Sequence, residues 1–92
     1  MDVVVNKIKK IQNKQQSLQW GHYQMSDDEI MFAVGNKAYP KEPRYFTVKS
    51  DHSIFLLDDS HKRILHEQCS DVNGVTSGVI ALLKEWFPAK QL

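Results

Sequence analysis

The chain has little of what would mark a specialised class of protein. A single cysteine, Cys69, stands among 92 residues, so no internal disulfide can form and nothing points to an oxidising compartment. Three prolines and four glycines are too few for a low-complexity linker or a fibrous repeat. No apolar run approaches the roughly 18 residues that a membrane span needs. Near the start, Val3 to Val5 precede Asn6 and Lys7, an apolar stretch too short for the core of a signal peptide. Charge of one sign is lacking as well: 12 basic residues face 11 acidic ones for a net +1, which argues against a dedicated polyanion binder and against an acidic mimic of nucleic acid. A cytoplasmic protein, off the membrane and without a cofactor, is the expectation.

What is present fits one small globular domain over residues 1–92. A chain of this length buries roughly 60–65 per cent of the surface it would expose unfolded, enough for one core. Its apolar fraction of 41% and charged fraction of 25% are those of an ordinary folded domain. The densest apolar surface runs from Ser70 to Phe87. At 3.6 residues per turn, Val72, Val75, Val79, Leu82, Leu83 and Trp86 form one broad stripe, widened by Ile80 and Phe87. Asp71 or Asn73 can cap the start of this helix and Pro88 marks its end.

A first helix is expected over residues 3–18, with Met1, Val4, Ile8, Ile11 and Leu18 on alternating three- and four-residue steps and Gln15 in the remaining slot. This narrow seam suits either the chain's own sheet or the helix of a partner. Lys7, Lys9, Lys10 and Lys14 lie outside the seam and read as a solvated face. From Gln19 to Met25 the pattern turns to alternation, Trp20, His22 and Gln24 against Gly21, Tyr23 and Met25, as in a strand. Ser26-Asp27-Asp28-Glu29 matches a capping box for a short helix ending at Gly35. The continuous run Ile30 to Val34 followed by Gly35-Asn36 favours strand, hairpin turn and strand instead.

Lys37 to Pro43 is the most loop-like stretch, because Pro40 and Pro43 each lack a backbone donor. Strands are then expected at Tyr45 to Lys49, Ile54 to Leu57 and Arg63 to Gln68, with turns at residues 50–53 and 58–62. The predicted fold is α+β: an N-terminal helix, an antiparallel meander of four to five strands, and a C-terminal helix packed on one face of the sheet.

No constellation marks catalysis. His52, His61, His66 and Cys69 can be drawn as four metal ligands, but His66 and Cys69 are three apart at the end of a strand and face opposite ways, and no usual ligand spacing occurs. Cys69 precedes a helix start, where a thiolate is favoured, yet a small buried hydrophobe is the simpler reading. Asp58-Asp59-Ser60-His61 is adjacency in a turn and not triad geometry. Asp27, Asp28 and Glu29 lack the alternating ligands and glycine of a calcium loop. The segment Asn73 to Gly78 has no Lys-Ser or Lys-Thr to make it a Walker loop; Gly74, Gly78 and Ala81 form a smooth strip suited to close helix packing.

The leading expectation is therefore a small non-enzymatic protein–protein interaction module, a regulator, inhibitor or adaptor, with a homodimer as one form of its docking. Its interface would be Val4, Ile8, Ile11 and Leu18 of the seam and Gly74 and Gly78 of the strip. The runner-up is a single-stranded nucleic-acid module using Lys37, Tyr39, Lys41, Arg44, Tyr45 and Lys49, since residues 1–49 are net +3 and residues 50–92 net −2, and aromatics among cations can stack on bases.

Overall fold

The computed structural model describes residues 2–14, 17–36, 39–58 and 60–87. Met1, Gln15, Lys37, Asp59 and Pro88, used above, lie outside the described residues. The elements follow the predicted order: α1 (Asp2–Lys14), β1 (Leu18–Ser26), β2 (Glu29–Asn36), β3 (Tyr39–Lys49), β4 (Ser53–Leu57), β5 (Arg63–Gln68) and α2 (Val72–Trp86). The strands form one antiparallel sheet in the order β1-β2-β3-β4-β5, so the expected α+β meander with helices at either end is the fold of the chain.

The register explains which face is buried. Ile30, Val48 and Ile54 stand in one cross-strand row, and Phe32, Phe46 and Leu56 in the next. Side chains two apart share a face, so these rows make one apolar surface. Val4, Ile8 and Ile11 of α1 and Val75, Val79, Leu82 and Leu83 of α2 join it in a single buried cluster. Phe46 is central, its ring stacked on Phe32 at 5.2 Å and tilted against Trp86 at 6.2 Å between centroids. Asp71 is the N-cap of α2, its Oδ1 accepting from the Gly74 N–H at 2.8 Å, and the Phe87 N–H closes the last turn on the Leu83 carbonyl at 2.8 Å.

Three details differ from the sequence reading. The first helix stops at Lys14, and Leu18 opens β1 opposite Asn36; after Ile11 the stripe offers only a polar slot at Gln15, so Leu18 gains more as the first buried residue of a strand. Gly35 and Asn36 belong to β2, and Asn36 faces Tyr39 across the ladder. The tight turn between β1 and β2 is Asp27–Asp28, where Ser26 Oγ donates to Asp28 Oδ1 at 2.7 Å and Ser26 pairs with Glu29. Finally, Tyr39 to Pro43 is strand. β4 pairs with β3 only at Phe46 to Val48, so this part of β3 has no neighbour in β4 and tolerates prolines as an edge does.

Two turns are locked by aspartates. Asp51 Oδ1 accepts from the Ser53 hydroxyl and N–H, and Asp58 Oδ1 accepts from the Lys62 N–H at 2.8 Å and from Ser60 Oγ and N–H. His52 and His61 sit beside them in the left-handed region, with φ of 70° and 64°, where the tight turns place them. Bonds that favour the ionised carboxylate hold both aspartates below the ordinary value of 3.8, led by the Ser53 hydroxyl for Asp51 and the Lys62 N–H for Asp58.

Two outcomes follow from this packing. Leu82→Ala should lower unfolding free energy by roughly 2–5 kcal/mol, read from a urea midpoint at unchanged slope. A folded-state pKa below the unfolded one stabilises fully above the unfolded value and loses that contribution as pH falls through it. Stability measured by urea titration should therefore drop as pH falls below about 4, and Asp51→Asn with Asp58→Asn should flatten the drop.

Candidate interaction surface

The structure closes the predicted seam within the chain. Val4, Ile8, Ile11 and Leu18 are all buried, Ile8 completely, because α2 alone does not span the apolar face of five strands and α1 takes the remainder beside it. The glycine strip is also internal. A Cβ on Gly78 would lie 2.8 Å from Ile54 Cδ1 and 2.9 Å from Glu67 Oε1, and one on Gly74 would lie 3.1 Å from Cys69 Cβ, so the strip lets α2 approach β4, β5 and the segment joining β5 to α2. Cys69 is buried there, and its burial, with the Glu67 carboxylate adding, pushes the thiol up to about 11. At neutral pH it is a neutral thiol and a weak nucleophile. No group of three or more His, Cys, Asp and Glu side chains is placed to hold a metal ion among the described residues.

The basic and aromatic set divides. Tyr39 and Lys41 lie in β3 and Lys37 lies outside the described residues. Arg44 pairs with Val34 and so projects on the helix side, whereas Tyr45 pairs with Ala33 and Lys49 with Glu29, on the opposite face. Strand alternation thus separates the cation at 44 from its neighbours at 45 and 49.

That opposite face is covered by neither helix. One row crosses all five strands on it: Tyr23, Met31, Thr47, Phe55 and Leu65 stand in direct register. Four of the five are large and apolar; Tyr23 is 63% and Leu65 54% exposed, and Met31 and Phe55 are half-buried. The sequence carried this signal as Tyr23 and Met25 alternating with Trp20, but it could not say which side of β1 faced the core, since both hold aromatics.

A charged strap crosses the same face. Arg63 of β5 places its guanidinium 5.7 Å from the centre of the Phe55 ring and donates to Glu29 Oε1 on β2. Since β3 and β4 lie between those strands, the side chain spans the sheet. Glu29 is 5% exposed and Thr47 fully buried, although both stand on the open face. Glu29 Oε2 and Thr47 Oγ1 have no hydrogen-bond partner among the described residues. The strap thereby neutralises Glu29, the one acid among the described strand residues on this face, and keeps its middle largely apolar.

Toward β1 the face sinks into a hollow of about 280 Å³, lined by Gln19, Trp20, Gly21, Ala33, Val34, Gly35, Pro43 and Tyr45. Small side chains cause it: Gly21 stands opposite Ala33, and Gly35 opposite Gln19. Comparison of the chain with models of protein families, with curated proteins and with solved structures gives no match.

The strap carries a measurable energy. Arg63→Met removes the cation from a buried carboxylate and should cost roughly 1–3 kcal/mol. Adding Glu29→Gln should recover part of that loss, and a double-mutant cycle with no coupling would show the pair to be energetically idle.

Proposed function

We propose that the protein is a small non-enzymatic interaction module whose docking surface is the open face of its sheet. The observation that carries this reading is the row Tyr23, Met31, Phe55 and Leu65, apolar and solvent-facing across the full width of the fold. Complete burial of such side chains is worth about 1.5–3 kcal/mol each, so removing what remains exposed of the row supplies a substantial part of a docking energy. The expected partner is a protein surface with apolar side chains, because the strap leaves no unpaired acid at the centre of the face. A regulator, inhibitor or adaptor works in this way, by occupying another protein's surface.

The nucleic-acid reading has less support. Tyr23, Tyr45, Phe55 and Lys49 do share the open face, as base-stacking aromatics would. But Arg44 projects on the other side, Arg63 is engaged by Glu29, and the Tyr45 ring meets His61 edge-on at 5.8 Å.

The test is retention of a partner from the protein's own cell, followed by calorimetry with the purified partner. Leu65→Asp, with an unchanged circular dichroism spectrum, should weaken that direct binding at least about tenfold, or about 1.4 kcal/mol. Binding indifferent to Leu65→Asp, or binding to single-stranded oligonucleotides that falls steeply with salt, would overturn the reading.

A further inference from the structure

The open face is bounded by two edge strands of different character. β5 presents Arg63, His66 and Glu67 within six residues, and its ladder with β4 shifts between Ile54 and Phe55. Charges and bulges of this kind discourage a further strand from adding. β1 has no such guard from Leu18 to Met25: the segment contains no Asp, Glu, Lys, Arg or Pro, and its ladder with β2 runs without a shift as far as Gln24. Its outer backbone groups are a ready template for another strand.

The same strand carries a projection and a recess on one face. Tyr23 is the most exposed large apolar side chain among the described residues. Two residues away on the same side, Gly21 forms the β1 wall of the hollow. We infer that β1 pairs antiparallel with β1 of a second copy about a twofold axis at His22, seating Tyr23 of each copy in the hollow over Gly21 of the other. In this register Gly21 faces Tyr23 and Gln19 faces Met25 of the second copy. Residues opposite each other in an antiparallel pair share a face, so the phenol ring lies over glycine and Ala33, where an aromatic side chain covers a bare stretch of strand.

A second copy is favoured over a foreign peptide because projection and recess occur together in a spacing that a twofold axis makes mutual. The absence of charge from Leu18 to Met25 lets two copies meet without like-charge repulsion. The contact is one strand wide and falls short of the roughly 800 Å² per partner of a standard interface, which makes it a weak, concentration-dependent association. This rests on the open-face reading only in using the same side of the sheet, since Leu65 lies at the opposite edge.

Sedimentation of the full chain from about 1 μM to about 1 mM should show the mass rising from 10.7 kDa toward twice that value. Gly21→Leu fills the recess, and a Cβ there meets only the Ala33 Cβ at 4.0 Å, so the fold tolerates it. Both Gly21→Leu and Tyr23→Asp should keep the protein monomeric at its original melting temperature, while Leu65→Asp should leave the dimer intact. His22→Cys should form an intermolecular disulfide on oxidation, the buried Cys69 of the parent chain remaining unreacted. A parent chain that stays monomeric throughout, a dimer indifferent to Gly21→Leu and Tyr23→Asp, or a dimer in which His22→Cys fails to cross-link would each overturn the inference. None of these would touch binding that depends on Leu65, so the two readings fail separately.

Discussion

Two helices can cover one face of a five-stranded sheet but not both, and the rest of this structure answers that constraint. The apolar rows through Phe32, Phe46 and Ile54 need more cover than α2 provides. The chain meets the need from its other end by laying α1 alongside α2. Val4, Ile8 and Ile11 are spent on this task, which leaves the lysines of α1 as a solvated rim. A helix that looks in isolation like half of a coiled coil is one of the two covers of a small core.

The second face is managed without a helix. Its centre holds Thr47, which no strand on either side leaves open to water, and Glu29, a carboxylate that burial would otherwise penalise. Arg63 addresses the second by lying across the sheet, its guanidinium near the Phe55 ring and its donor on Glu29. An arginine suits this role because its long apolar stem covers carbon while its head remains charged. What stays exposed is the row of apolar side chains between and beyond the strap, together with the hollow at its β1 end.

Most of the architecture is legible in the sequence, and the parts that are not share a cause. Strand β5 and the body of α2 are set by local signals: turn-forming Asp58 to Lys62, a capping Asp71, and apolar residues at helical spacing. The end of α1 and the place of the β2–β3 connection depend on tertiary competition. Leu18 continues a heptad or starts a strand according to where its burial is greater, and Gly35-Asn36 is a good turn that the ladder with Tyr39 uses as strand. The apolar row on the open face is least legible. Alternation shows that Tyr45 and Lys49 share a side and Arg44 does not, yet it takes the register of four ladders to align Tyr23, Met31, Thr47, Phe55 and Leu65.

The glycines show why a sequence reading cannot tell an internal close approach from an open recess. Gly74 and Gly78 and the pair Gly21 and Gly35 look alike as places where backbone can be approached. Around Gly78 the space of a missing side chain is taken by Ile54 and Glu67, so the strip belongs to the interior. Around Gly21 it is open apart from Ala33 at ordinary contact distance. Helical glycine costs stability relative to alanine, and its return at Gly78 is the close approach of α2 to β4. Glycine within a strand is likewise weakening, and at Gly21 no close neighbour among the described residues supplies the return. Packing within the monomer accounts for the first pair of glycines and leaves the recess at the second open.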